Sequence, residues 1–178
     1  MIIVIEGADL VGKTTVINRL VSEIPNSIPV KLNVVIGLDR NCVADIERAI
    51  NLTAYSLMSK DEGKVWLVDR FIISALVYSN FLNRPSKLSV EDIKARKYAI
   101  IILGADEHIL VKSFKERDDK HFSIGDILLL NKLFFNFYFK NQLKITNLHY
   151  LKNNDQDQLK NVIKYTKKLV EYENKYGK

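Results

Sequence analysis

Gly7-Ala8-Asp9-Leu10-Val11-Gly12-Lys13-Thr14-Thr15 sets two glycines, a lysine and two hydroxyls at the spacing G-x-x-x-x-G-K-[ST]. Holding a polyphosphate needs this set, because backbone N–H groups of a glycine loop and the positive end of the next helix together face an anion. Gly7 and Gly12 supply the turn and a close backbone approach that a Cβ would obstruct. Lys13 is a point charge for the β- and γ-phosphates and Thr14 a hydroxyl for Mg²⁺, with Thr15 beside it on the donor nucleotide. A second set follows at Asp69-Arg70, where an apolar run ends in a carboxylate and a planar cation. In an open parallel sheet the ligand lies beyond the carboxyl ends of the strands. A strand-end carboxylate there holds the metal shell of a P-loop enzyme, so Asp69 and Thr14 are the metal candidates. Arg70 can clamp a phosphate with its fork. Ser74 and Tyr78 recur at four-residue steps from Arg70, so the three can line one wall of an acceptor site. The plainer alternative for Asp69-Arg70 is a surface ion pair after a strand.

The elements that must position these groups alternate between strand and helix. Met1 to Glu6 is an apolar run with strand character, and the apolar spacing from Val16 to Val21 is helical, with a stop before Pro25. A second strand is expected over Val30 to Ile36, closed by Gly37, and delivers Asp39 and Arg40 to the same edge. A helix from Val43 to about Met58 carries apolar residues at Val43, Ile46, Ile50, Ala54 and Leu57. Val65 to Val68 reads as a buried parallel strand and Ile72 to Phe81 as a helix. Ser89-Val90-Glu91-Asp92 resembles a capping box with Asp in place of Glu, and Tyr98 to Leu103 is a fourth strand. Helices at Glu107 to Arg117, Ile124 to Asn141 and Gln156 to Tyr176 surround a weaker strand within Ile145 to Leu151. The class is α/β, with a five-stranded, mostly parallel sheet in a single domain.

At 178 residues and 47% hydrophobic composition the chain suits one domain with a substantial core. The net charge of +6 suits anionic partners, and most of the excess is lysine on expected surface helices, so nucleic acid is a possible partner but not the favoured one. The apolar N-terminal run is too short for a signal or a membrane span, so a soluble cytoplasmic protein is expected. The single cysteine, Cys42, excludes an internal disulfide framework and reads as a small apolar helix residue. His108, His121 and His149 lack ligand-like spacing, which argues against a structural zinc site.

The two motifs together, Ile5-Glu6-Gly7-x-Asp9-x-x-Gly12-Lys13-Thr14-Thr15 and Asp69-Arg70-Phe71-x-x-Ser74-x-x-x-Tyr78, resemble thymidylate kinase and its relatives among the nucleoside monophosphate kinases. The order of elements follows that family over nearly the whole chain. The resemblance implies a P-loop kinase-type three-layer sandwich using ATP and Mg²⁺. It puts Asp69 in the metal shell, Arg70 at the acceptor phosphate, Tyr78 beside the deoxyribose and Asp9 near its 3′-hydroxyl. By position it implies Arg48 at the acceptor base and Arg40 at the acceptor phosphate. Lys112, Lys115, Arg117 and Lys120 fall at the family's basic lid, near 112–123, with Arg117 acting on the transferring group. Asn153-Asn154-Asp155 falls at the loop beside the donor adenine. A homodimer is compatible with the resemblance.

Two departures bear on the substrate. Ala44 stands four residues before Arg48, where the family carries an aromatic that stacks on thymine, and the segment before that helix is short. The acceptor base is therefore left open. Deoxynucleoside kinases are the nearest alternative, although their loop usually ends Gly-Lys-Ser and their later motif has serine where Phe71 stands. A nucleic-acid 5′-end kinase is the other. A regulatory GTPase is excluded by motif, since Asn131-Lys132 is followed by Leu133-Phe134 instead of the guanine-reading aspartate.

Overall fold

The computed structural model describes residues 1–32, 40–61, 63–117 and 122–176. In chain order the first elements are β1 (Ile2–Glu6), α1 (Lys13–Glu23), β2 (Ser27–Lys31), α2 (Arg40–Met58), β3 (Val65–Asp69) and α3 (Ile72–Phe81). They are followed by α4 (Val90–Lys94), β4 (Ala99–Gly104), α5 (Glu107–Arg117), α6 (Ile124–Asn141), β5 (Leu148–Lys152) and α7 (Gln156–Tyr176).

The five strands form one sheet in the order β2-β3-β1-β4-β5, and every pair is parallel. The central strands β1, β3 and β4 are near-continuous apolar runs, as both faces of a parallel sheet are covered. On one face α1 packs against α7, and on the other α3 and α5 pack against α6, which gives three layers. Ile3, Ile5, Leu67, Ile100, Ile101 and Ile102 are fully buried at the sheet centre. Each contributes about 1.5–3 kcal/mol relative to an exposed side chain. Helix α1 ends at Glu23, ahead of Pro25, and Ser89 and Ser123 both close capping boxes, with Asp92 and Asp126.

The second strand departs from expectation. It occupies Ser27–Lys31 and pairs from Ser27↔Val65 to Lys31↔Asp69, starting earlier than the expected Val30 to Ile36, of which residues 33–36 lie outside the described residues. It is an edge strand with one partner, so it tolerates Pro29, whose missing N–H would disrupt a central strand. Gly37 and Asp39 lie outside the described residues. Helix α2 also departs from its pattern: Ile46, Ile50 and Leu57 are exposed while Glu47 and Asn51 are buried. No described helix is long and apolar enough to cross a membrane.

Two pairings set the site. The register of β1 with β3 puts Ile5 opposite Asp69, and that of β1 with β4 puts Glu6 opposite Ile102. The segments that leave β1 and β3 therefore emerge side by side at one edge.

Candidate active site

The loop between β1 and α1 is held in a shape that only some residues adopt. Gly7 has φ 137°, and a Cβ there would lie 2.4 Å from the Leu103 carbonyl oxygen of β4. Gly12 has φ 83°, and its Cβ would lie 2.4 Å from Asn153 Nδ2. That amide donates to the Val11 carbonyl at 2.9 Å, so the segment after β5 straps the loop. Leu10, at φ 67°, is a non-glycine residue in the left-handed region, a strain typical of ligand-binding loops. Lys13 is buried, and its ammonium donates to the carbonyls of Gly7 at 3.1 Å and Ala8 at 2.5 Å. Burial first, and then the charge of Arg70, pull its pKa down to about 7 against the carboxylates of Asp9, Asp69 and Glu6.

Arg70 leaves β3 with φ 69° after donating its backbone N–H to Ile5 at 3.1 Å. The turn sends its guanidinium back to the loop, where Nη1 donates to the Gly7 carbonyl at 3.4 Å and Nη2 pairs with Asp9. The guanidinium lies 5.0 Å from the centre of the Tyr78 ring. Tyr78 Oη donates to the other Asp9 oxygen at 2.8 Å. Burial opposes the charge on Asp9, but Arg70 and Lys13 outweigh it and hold the carboxyl below its usual range. Burial likewise opposes the charge on Arg70, and Tyr78, Asp9 and Asp69 more than compensate.

Glu6 organises α3 from a distance of sixty-odd residues. Its Oε1 accepts from the backbone N–H of Phe71 at 2.9 Å and of Ser74 at 3.3 Å, and its Oε2 accepts from the Ser74 hydroxyl. A carboxylate from β1 thus satisfies donors at the start of a helix that has no side-chain cap of its own. Burial pushes the Glu6 carboxyl up to about 7, against the hydrogen bonds from Ser74 and the charge of Arg70. The sequence reading assigned Glu6 no role, although a lone acid ending an apolar strand was the available signal. Ser74, expected at the substrate, is 1% exposed and committed to Glu6.

Lys13, Thr14, Thr15, Asp69, Arg70 and Arg117 line one crevice of about 80 Å³. Lys31 lines it too, carried to the edge by β2 opposite Asp69. Sequence reasoning missed Lys31 because it set the strand several residues later. Asp69 is 6% exposed and its buried Oδ1 has no hydrogen-bond partner among the described residues. An orphaned carboxylate oxygen and the Thr14 hydroxyl on the same crevice suit Mg²⁺, a hard cation held by few protein oxygens together with phosphates. No described group of three His, Cys, Asp or Glu could hold a metal by itself.

The remaining expected residues divide. Arg117 ends α5 and reaches the crevice, while Lys112 and Lys115 on the same helix are exposed. Lys120 lies outside the described residues, as does the side chain of Arg40, which opens α2. Arg48 is on the exposed face of α2, because the helical phase turns Val43, Ala44, Glu47 and Asn51 inward. Asn154 bonds Asp106 through Nδ2 at 2.6 Å and accepts from its backbone N–H at 2.7 Å, which fixes the loop after β5 to the end of β4.

No protein-family model matches the chain, and no curated protein sequence matches it closely. Solved structures do. The chain is similar to the YorR protein of Bacillus subtilis in complex with phosphorylated GDP, with a TM-score of 0.69 and 21% identity over 99% of each chain. It is similar to thymidylate kinase from Candida albicans, with a TM-score of 0.66 and 14% identity over 97% of this chain and 92% of that one. It is also similar to deoxyadenosine kinase from M. mycoides with dCMP and dCDP, with a TM-score of 0.64 and 16% identity over 96% and 99%. The fold is that of the P-loop kinases.

Proposed function

We propose that this chain, folded as a P-loop kinase, transfers the γ-phosphoryl group of ATP to the phosphate of a deoxynucleoside monophosphate, in the manner of thymidylate kinase. The observation that carries the reading is the contact of Arg70 with the phosphate loop, at the Gly7 carbonyl and Asp9. It sets a phosphate-binding fork of the β3 edge beside the ammonium that faces the donor phosphates. An oxygen of the acceptor phosphate attacks the γ-phosphorus while the bond to the β,γ-bridging oxygen breaks, and the electron pair leaves with ADP. The attacking oxygen is already ionised at neutral pH, so no general base is needed. Catalysis is then alignment of two anions and neutralisation of the charge they carry. Lys13 acts on the β- and γ-phosphates, Arg70 on the acceptor phosphate, and Arg117 and Lys31 add charge at the crevice. Mg²⁺ held through Thr14 and Asp69 would neutralise the β- and γ-phosphate oxygens.

One observation favours a second reading. Arg48 is exposed, so the positive charge converging on the acceptor is smaller than the sequence suggested, and a neutral hydroxyl of a deoxynucleoside becomes a competing acceptor. A coupled ADP-release assay across deoxynucleoside monophosphates, deoxynucleosides and 5′-hydroxyl DNA ends decides between them. Saturable turnover with monophosphates at higher kcat/KM than with nucleosides or DNA ends is the expected result. The reverse order replaces this reading with a nucleoside or end kinase.

A further inference from the structure

Helix α2 departs in part from its own amphipathic pattern, since its inward face mixes Val43, Ala44 and Met58 with polar residues. It turns Glu47 and Asn51 inward and leaves Ile46 and Ile50 at 37% and 40% exposure. Burying polar groups while exposing isoleucines is unfavourable for folding, and such local conflicts concentrate at functional sites. The inward face walls a cavity of about 10 Å³ with Leu32, Phe71, Ser74 and Arg70. Arg70 lines this cavity and the phosphate crevice alike, so the two adjoin at this residue.

Asn51 is 6% exposed, and its Nδ2 donates to the Glu47 carbonyl at 2.7 Å. A carbonyl can only accept, so this bond fixes which way the amide faces. The Oδ1 is then a buried acceptor with no partner among the described residues. Ser74, whose hydroxyl is bonded to Glu6, lines the same wall. Glu47 on the same wall accepts a hydrogen bond from Arg84 Nη2. Asn51 Oδ1 thus gives this wall a buried acceptor with no partner among the described residues.

We propose that Asn51 reads the acceptor base through Oδ1, and that the site selects a base with an amino group over thymine or uracil. The proposal rests on the reading of this crevice as the acceptor site of a nucleotide kinase. Cytosine, adenine and guanine each present an exocyclic amine that donates, whereas thymine and uracil set a carbonyl on either side of one N–H. The Asn51 Oδ1 acceptor pairs with the amine of the first and meets the lone pairs of a carbonyl in the second. The cavity is about the size of one water, so a base enters as α2 moves outward. Besides its buried Val43, Ala44 and Met58, that helix is held by side-chain contacts of Glu47 with Arg84, of Asp45 with Lys87 at 2.6 Å, and of the Tyr55 hydroxyl with the Lys97 N–H at 3.3 Å.

The test uses dCMP and dUMP, which are nearly identical in shape and differ in the donor and acceptor at this edge. The unmutated protein is expected to favour dCMP by roughly tenfold or more in kcat/KM, the worth of one buried hydrogen bond. Asn51→Leu should bring the ratio close to one, mainly by raising the KM for dCMP, with the KM for ATP unchanged. Asn51→Asp keeps the acceptor and should keep the preference. Calorimetric binding of each monophosphate without ATP gives the same comparison independently of turnover. Equal or better use of dUMP or dTMP by the unmutated protein overturns the proposal even if no variant folds, and so does an unchanged ratio in a folded Asn51→Leu. If only nucleosides are phosphorylated, the monophosphate reading fails, while deoxycytidine against deoxyuridine still decides the role of Asn51.

Discussion

Tyr78 donates its hydroxyl proton to the Asp9 carboxylate across 2.8 Å, which joins α3 to the phosphate loop. Arg70 takes the other oxygen of the same carboxylate, and the Tyr78 ring, 1% exposed, lies edge-on to Phe134. A ring fixed from both ends is a rigid wall.

The role expected of Tyr78, packing against C2′, would exclude a 2′-hydroxyl by bulk, although its ring lines neither the crevice nor the cavity beside it. Tyr78→Phe keeps the ring and should keep any preference for deoxyribonucleotides, at a stability cost of about 1.5–3 kcal/mol for a hydrogen bond to a charged group. Tyr78→Ala should narrow the preference, and it costs about 3–5 kcal/mol, so its kinetics are read at low temperature with the folded fraction checked. Equal kcat/KM for ribo- and deoxyribonucleotides in the unmutated protein removes this role.

Lys13→Ala should lower kcat by about 10² or more, the scale on which other electrostatic stabilisers act. Its ammonium bonds only the carbonyls of Gly7 and Ala8 among the described residues, so circular dichroism and the urea midpoint should change little. A folded Lys13→Ala protein with undiminished turnover rules out phosphoryl transfer at this loop.

Arg70→Ala should raise the acceptor KM and depress kcat together, with a smaller effect on ATP. Arg70→Lys should restore only part, because an ammonium cannot span two oxygens as the fork does. Acceptor kinetics unaffected by Arg70→Ala would falsify the assignment of the acceptor phosphate to this edge.

Glu6 makes stability depend on pH. Its folded carboxyl titrates at about 7 against an ordinary 4.5, so between these values the folded state holds the extra proton. A raised folded pKa contributes stability that is present below pH 4.5 and lost as pH rises through 7. The difference is on the order of 3 kcal/mol at full effect. Urea midpoints of the unmutated protein should therefore fall relative to those of Glu6→Gln between pH 5 and 8. A gap that is constant, or that moves the other way, contradicts the buried protonated carboxyl.

The basic end of α5 is expected to close over the donor phosphates, since Arg117 already lines the crevice. Amide exchange at Lys112 to Arg117 should slow when a bisubstrate analogue binds, as measured by mass spectrometry. Unchanged exchange on saturation counts against a lid there.

The sequence by itself determined what local physics controls. Glycines, which take a left-handed turn without strain, marked the phosphate loop, apolar runs marked β1, β3 and β4, and the Ser89 capping box marked the start of α4. All act within about ten residues. Which segments lie side by side was decided by tertiary pairing. The register of Ile5 with Asp69 brings Arg70 to Gly7 and Asp9, and it puts Glu6 under the start of α3. Edge pairing let Ser27–Lys31 serve as β2 in spite of Pro29, which carried Lys31 to the crevice. The inward face of α2 followed its pattern only in part: of the residues that apolar spacing marked, Val43 is buried, while Ile46 and Ile50 are exposed and the fold buried Glu47 and Asn51. Periodicity reports that a helix has two faces. What each face meets depends on residues distant in sequence, and there Glu47 and Asn51 share a cavity wall with Arg70.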